Sequence, residues 1–219
     1  SNGCSSSASV TITQPAQLSA TIPSQTNVSC FGGSNGTATA SATGGTGGTY
    51  SYLWNDPAPA QTTISANGLS AGTWTVLVTD SNSCTATASI TITQPALLMA
   101  GITAQTNVSC NGGSDGSLTA SGFGGTLPYS FLWSDNQTTL TANGLSIGSY
   151  SVIVTDSLNC TATVNATITQ QSPLLLSVTH SDVLCFGTSS GSANLTVSGG
   201  ALPYASFLWS NNATTEDAS

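Results

Sequence analysis

Lysine and arginine are both missing from this chain of 219 residues. Nucleic acids and anionic lipids are gripped through their phosphates by cationic side chains. A formal charge of −8 with no cation therefore excludes DNA, RNA and anionic membranes as partners. The same absence removes a Schiff-base lysine, a P-loop lysine and a Lys–Asn isopeptide cross-link. No apolar run approaches the ~18 residues of a spanning helix, so no membrane insertion is expected. No signal-peptide pattern opens the sequence. Helical periodicity is missing as well. Ser and Thr are abundant enough to suggest disorder, but regularly spaced Val, Ile, Leu and Trp point to a folded chain.

What is present is repetition. TNVSC occurs at 26–30 and again at 106–110, a shift of 80. VTITQPA at 10–16 returns as ITITQPA at 90–96, the same shift. A third copy follows at a shorter interval, with Cys185 75 residues after Cys110 and Trp209 76 after Trp133. The differences in length fall between Gly45 and Tyr50 and between Trp54 and Thr62, and insertions confined to loops are what folded repeats tolerate. The spacing predicts residues 1–15 as the C-terminal strand of a preceding repeat. Residues 16–95 form repeat 1, residues 96–173 repeat 2, and residues 174–219 the N-terminal part of a third, truncated repeat. A window that starts and stops in mid-repeat is expected to belong to a longer polypeptide.

Within a repeat, apolar residues alternate with period two, the mark of half-buried strands. In repeat 2 the sets are Leu98, Ala100, Ile102; Leu118, Ala120, Gly122; Tyr129, Phe131, Trp133; Leu140, Ala142, Leu145; Tyr150, Val152, Val154; and Ala162, Val164, Ala166, Ile168. Gly112-Gly113, Gly124-Gly125 and Gly148 punctuate them, together with Asp156 to Asn159. Glycine supplies positive φ, and Asp and Asn make local turns. Six or seven short strands in each repeat predict an all-β protein of tandem immunoglobulin-like β-sandwich repeats. The Trp of strand three is the expected core anchor.

The six cysteines fall at two repeated positions, after strand one (Cys30, Cys110, Cys185) and before strand six (Cys4, Cys84, Cys160). Zinc spacing is absent. A small sandwich gains from a disulfide, and two pairing schemes are open. One is within repeats, Cys30–Cys84 and Cys110–Cys160. The other bridges neighbours, Cys4–Cys30, Cys84–Cys110 and Cys160–Cys185. Strand parity bears on the choice. Six strands put both loops at one end and favour the within-repeat bond, whereas seven put them at opposite ends, beyond the ~5.5 Å Cα separation a bond needs. Either scheme implies an oxidising, extracellular setting.

No catalytic constellation emerges. His180, the single histidine, aligns with Gln25 and Gln105 and reads as an exposed substitution. Asp80 and Asp156 recur at the end of strand five as turn caps, with a calcium ligand as the sharper reading, although no calcium-loop pattern accompanies them. Asp56 and Asp135 follow the Trp strands in loops. No metal, cofactor or catalytic residue is assigned. Asn-x-Ser/Thr sequons occur at Asn27, Asn35, Asn107, Asn136, Asn159, Asn165, Asn194 and Asn212 in a chain rich in Ser and Thr.

The ordered motifs CNGGSDG at 110–116, GGTLPYSFLW at 124–133, GSYSVIVTDSLNC at 148–160 and ITQ at 168–170 resemble the SprB-type repeat of large cell-surface adhesins of gliding Bacteroidetes. Repeat 1 departs in GGTGGTY at 44–50, which lacks the Pro, and repeat 3 in CFGTSSG at 185–191 and the inserted Ala205. The resemblance implies export by type IX secretion to the cell surface and no catalytic or ligand residue. Asp156-Ser157-Leu158 also fits the Asp-Ser/Thr-apolar pattern for O-glycans in this bacterial group, which marks Ser157 for O-glycosylation. The expected role is a repetitive extracellular stalk of an adhesin or gliding-motility filament. Its expected partners are neighbouring repeats of the same chain, then surface polysaccharide or self-association. A self-assembling structural filament or sheath is the alternative, and an accessory array on a secreted enzyme is a third.

Overall fold

A computed structural model gives the structure, which describes residues 2–56, 59–187 and 189–217. Thr188 of the third repeat's CFGTSSG lies outside the described residues. The chain forms two compact units, residues 1–97 and 98–219. Among the described residues every regular element is a strand.

The first unit holds β1 (Ser19–Thr26), β2 (Gly36–Thr43), β3 (Ser51–Trp54), β4 (Ser65–Leu69), β5 (Gly72–Thr79) and β6 (Thr85–Ile92). They make two antiparallel sheets, β1-β2-β4 and β3-β5-β6. The period-two pattern explains the layers. Ala38 and Ala40 of β2 point inward, as do Val76 and Val78 of β5, while Thr39 and Leu77 between them face outward. Thr39 and Ser65 pair their hydroxyls across that outer face at 3.0 Å. Trp54 ends β3 in the centre of the core, 1 % exposed. Its indole N–H, which would be costly to bury unpaired, donates to the Thr63 carbonyl at 3.0 Å.

The second unit repeats this plan. Its strands are β7 (Met99–Thr106), β8 (Gly116–Phe123), β9 (Ser130–Trp133), β10 (Thr141–Leu145), β11 (Gly148–Thr155) and β12 (Thr161–Ile168). The sheets are β7-β8-β10 and β9-β11-β12. Trp133 is buried like Trp54, and its indole donates to Thr139 O at 2.9 Å. Two facing sheets with strands one, two and four in one and three, five and six in the other are an immunoglobulin-like sandwich. The predicted fold class and the Trp anchor both stand.

The third repeat contributes β13 (Leu175–Ser181) and β14 (Ser192–Ser198), paired as a hairpin. Its Trp209 donates from Nε1 to Thr215 O at 3.0 Å but is only half-buried. Residues 206–209 form no strand, and neither do residues 8–12, where Val10 and Ile12 stand exposed. The reason is the same at both places. In repeats 1 and 2 the strands equivalent to these pair with β5 or β11, and residues 8–12 and 206–209 have no such neighbour.

One expectation fails in an instructive way. Each complete repeat has six strands, yet its two cysteine loops lie at opposite ends. The cause is the link from strand three to strand four. After Trp133 the chain folds back on itself, with the Trp133 amide donating to Gln137 O at 2.9 Å and the Ala120 amide to Leu140 O at 3.0 Å. Strand four then runs in the same direction as strand three, because β9 lies antiparallel to β11 and β10 antiparallel to β8. This return segment acts as a traverse without ladder bonds, so counting strands gives the wrong end.

Candidate functional site: the two ends of each sandwich

The polar residues singled out by the sequence gather at the ends of the sandwiches. At the leading end, where the chain enters repeat 1, the Gly45 amide donates to Ala16 O at 2.8 Å. Beside it, Asp80 is buried, 6 % exposed. Its Oδ1 accepts from the Asn82 and Cys84 amides at 2.9 and 2.8 Å, and its Oδ2 from the Thr46 amide at 2.8 Å. Asp156 does the same in repeat 2, with Leu158 and Cys160 on Oδ1 and Thr126 on Oδ2, each at 2.9 Å.

These amides set the acidity of both carboxyls. The Thr46 amide is the strongest influence on Asp80, burial opposes it, and the Cys84 and Asn82 amides add to it, so the carboxyl lies below the usual range. For Asp156 burial is the largest influence and raises the value. The Cys160, Thr126 and Leu158 amides together outweigh it, and the net shift is again downward. Both carboxylates are therefore turn caps, as one of the two sequence readings held. The backbone contacts on both are N–H donors pointing inward, the polarity that suits an anion and repels a cation. Among the described residues no cluster of His, Cys, Asp and Glu could hold a metal.

A tyrosine closes the same end in all three repeats. The Tyr50 hydroxyl donates to Gly44 O at 2.7 Å, that of Tyr129 to Gly124 O, and that of Tyr204 to Gly199 O at 3.0 Å. The glycines hold positive φ here, 78° at Gly44 and 73° at Gly124, which only glycine adopts cheaply.

The trailing end, where the chain leaves, is built around the loop after strand one. The Ser29 amide donates to Asn35 Oδ1 at 3.0 Å, and in repeat 2 the Ser109 amide donates to Asp115 Oδ1 at 3.0 Å. The hydroxyl and amide of Ser109 hold the Asp115 carboxyl below its ordinary range. The departing strand is clamped to this loop. Gly32 N donates to Gln94 Oε1 at 2.7 Å, Gly112 N to Gln170 Oε1 at 2.9 Å, and Thr93 N to Asn27 Oδ1 at 2.9 Å. The sequence reading missed these clamps. The signal was the recurrence of Gln in TITQ and of Asn or Asp five residues after Cys in CxGGSxG.

The cysteines divide between the ends. Cys30 and Cys110 sit in trailing-end loops, and Cys84 and Cys160 in leading-end loops. Cys30 and Cys160 are disulfide-bonded. Cys4, Cys84 and Cys110 are exposed thiols. Neither predicted scheme is present. Free Cys84 and Cys110 remove Cys30–Cys84, Cys110–Cys160 and Cys84–Cys110, and free Cys4 removes Cys4–Cys30. Cys160–Cys185 is not present either, since Cys185 keeps its thiol. The within-repeat scheme fails because a whole sandwich separates its members.

The remaining candidates are accounted for locally. Ser157 is exposed in the Asp156 turn, and its hydroxyl donates to Thr126 O at 3.0 Å. His180 lies on β13, exposed, with Nε2 3.6 Å from Asp182 Oδ1. Asp56 accepts from the Gln61 amide at 2.9 Å, inside its own loop. Several sequon asparagines are turn residues: Asn136, Asn159 and Asn212 hold φ of 64° to 69°. A groove of about 730 Å³ runs along the inner face of the β13–β14 hairpin, lined by Leu176, Val178, Leu195, Val197, Phe207 and others, with no acid among its walls. It is the face that the β3-β5-β6 and β9-β11-β12 sheets cover in the complete repeats, rather than a built pocket.

The family model for the SprB repeat matches the chain three times, at residues 22–59, 102–138 and 177–214, just over half of its length. The chain belongs to the SprB repeat family. In each complete repeat the SprB match runs from strand one through the trailing-end loop and the strand-three Trp to the fold-back behind it. The SprB chain also shows a likeness to solved structures. One, titled as the N-terminal eight immunoglobulin domains of Down syndrome cell adhesion molecule (DSCAM), is 11 % identical, with 92 % of this chain and 32 % of that one covered and a TM-score of 0.31. Another, titled as the structural basis for Dscam isoform specificity, is 14 % identical, with 71 % and 45 % covered and a TM-score of 0.30. The chain spans less than half the length of these solved chains. No curated protein sequence matches it. SprB membership and the sandwich repeats make this a repetitive, adhesin-type region of a cell-surface protein.

Proposed function

We propose that the chain is a non-catalytic stalk segment of a cell-surface adhesin or gliding-motility filament, exported by type IX secretion in a Bacteroidetes cell. It holds adhesive regions away from the cell. The observation that carries this reading is the repeated use of the recurring polar groups for local architecture. The Asp80 and Asp156 carboxylates, the Tyr hydroxyls and the Gln94 and Gln170 amides each close a loop of their own repeat. Chemistry is thus spent on spacing strands, and modules that contact only their neighbours build linear arrays. Neighbouring repeats are the first partners, and Ser157 is an accessible site for an O-glycan. A chain without Lys or Arg also offers trypsin-like proteases no cleavage site.

A second reading, a self-assembling filament, is favoured by one feature. Leu53 and Leu132 occupy the same outward position of strand three, each 47 % exposed, beside Leu77 and Ile153 of strand five. An apolar pair recurring on the outer face of both repeats suits lateral pairing of identical chains. Electron microscopy of the purified full-length protein decides between them. Isolated thin rods support the stalk, and regular lateral or helical assembly supports the filament. A hydrolase domain elsewhere in the polypeptide, active on a surface polysaccharide, would overturn both.

A further inference from the structure

The two lateral sides of each sandwich treat their strand edges differently. On one side run β4 and β10, which end the β1-β2-β4 and β7-β8-β10 sheets. Their outward backbone groups are occupied by side chains of the fold-back that precedes them. Gln61 closes a two-bond bridge on Asn67, its Oε1 accepting from the Asn67 amide at 2.8 Å and its Nε2 donating to Asn67 O at 2.9 Å. Thr63 Oγ1 donates to Ser65 O at 2.6 Å. Repeat 2 does the same through Gln137 on Asn143, at 3.0 and 2.9 Å, and through Thr139 on Thr141, at 2.6 Å. The glutamine amide stands in for the peptide of a neighbouring strand and closes the edge to other chains.

On the other side of repeat 2, β12 lies beside β7 of the facing sheet. It pairs with β11 alone, and its odd-numbered residues turn N–H and C=O away from β11. Three contacts fix that direction. Val108 N donates to Thr169 O at 2.9 Å, Thr169 N to Asn107 Oδ1 at 3.1 Å, and Gln105 Nε2 to Thr167 O at 2.9 Å. All three fall at the trailing half. By strand alternation the backbone of Thr161, Thr163 and Asn165 points the same way, and all three residues are exposed. Thr161–Ile168 carries neither proline nor charge, the usual devices that blunt an edge. A groove of about 490 Å³ opens beside it, between Ile102 and Ala104 of β7 and Val164 and Ala166 of β12. There β7 shifts register between Ile102 and Ala104. In repeat 1 the place of Thr103 in that bulge is taken by Pro23, so the open groove edge is a feature of repeat 2.

We infer that this half-edge is a self-association surface: β12 of one chain pairs antiparallel with β12 of a second copy about a two-fold axis at Thr163, joining two β9-β11-β12 sheets into one. The parity fits. Thr163 faces Thr163 of the second copy, and Thr161 faces its Asn165, so that outward N–H meets outward C=O in about six bonds. Ala162 then faces Val164 of the second copy on the inner side, beside the groove. On the outer side only hydroxyl and amide side chains meet. In a chain of charge −8 without a cation, this is a joint at which no like charges face each other. Identical edges across a two-fold axis are self-complementary, the geometry of most protein dimers. So short a ladder buries less than the ~1,200 Å² of a stable interface, which makes the pair weak and concentration-dependent. The pairing holds for a stalk as for a filament, and it does not use the Leu53 and Leu132 face.

Sedimentation velocity of the purified chain, with its thiols alkylated so that disulfide exchange cannot join copies, tests this over about 10 µM to 1 mM. The expected result is a monomer–dimer equilibrium, with amide hydrogen exchange at Thr161, Thr163 and Asn165 slowing as the dimer fills. Thr163→Pro removes the central donor from both copies and should raise the dissociation constant at least about tenfold, with circular dichroism checking that the variant is folded. A second pair of variants does not depend on proline being tolerated. Thr163→Lys and Thr163→Asp chains should each dimerise more weakly than wild type, and an equimolar mixture more tightly than either alone. A monomer throughout the range overturns the pairing, as does a dimer that all three variants leave unchanged. A dimer lost in Leu132→Ser but kept in Thr163→Pro puts the contact on the outer face and overturns it as well. A monomer leaves the stalk reading standing, so the two fail separately.

Discussion

Asp156 and Thr126 are 30 residues apart in sequence and joined at 2.9 Å, carboxylate Oδ2 to backbone amide. With Leu158 and Cys160 on the other oxygen, this one side chain fastens the turn before strand six to the loop before strand three. Removing it leaves three inward-facing amides without acceptors, and buried unpaired donors are costly. Asp156→Ala should lower the melting temperature of repeat 2 by about 10 °C. Gly125→Ala should act in the same direction, since a β-carbon there meets Asp156 at 2.7 Å and φ is +59°. Thermal unfolding by circular dichroism reads both, and an unchanged transition in either variant contradicts the assigned role.

Acid sensitivity follows from the same carboxylates. Asp80 and Asp156 both titrate below the ordinary Asp range in the folded chain. A depressed folded value means stability that is fully present above the unfolded pKa, near ~3.9, and lost as pH falls toward the folded value. The melting temperature should be flat above about pH 5 and fall below about pH 4. Asp80→Asn with Asp156→Asn should start lower and show a shallower acid decline. A double variant with the wild-type pH profile would remove these two groups from the account.

The tryptophans test the core. Trp133→Ala empties the centre of repeat 2 and should cost about 3–5 kcal/mol, most of what a domain of this size has. Hydrogen exchange followed by mass spectrometry should show protection lost across β7–β12 and kept across β1–β6. Loss throughout both units would show instead that the repeats fold as a single cooperative block.

Ser83 and Asn159 occupy the same turn position, with φ of 67° and 64°. Asn tolerates the left-handed region better than Ser. Ser83→Asn should therefore stabilise repeat 1 by about 0.5–1 kcal/mol, measurable as a higher urea midpoint with unchanged slope. A lower midpoint would mean that the Ser83 side chain does something Asn cannot.

Much of this was legible in the residues. Alternation placed Val152 and Val154, Leu118 and Ala120 on inward faces, and the motif order placed the Trp anchor, because burial in a thin sandwich depends on local period alone. That the two cysteine loops of a repeat lie at opposite ends was not legible. It turned on the direction of strand four, which is set by the fold-back after Trp133, a segment with no apolar alternation to read. The Gln94 and Gln170 clamps were hidden for a related reason: a glutamine that caps a loop some sixty residues away leaves no mark beyond its own recurrence.

The position of the chain ends in each sandwich has a mechanical consequence. Repeat 1 is entered at one end beside Gly45 and left at the other beside Gly32. Tension pulled through those two points runs along the strand axes, across a β5–β6 ladder paired from Gly72–Ile92 to Thr79–Thr85. Rungs perpendicular to the strands are then loaded in shear and resist together, whereas a sandwich pulled from one end would open its rungs singly, like a zipper.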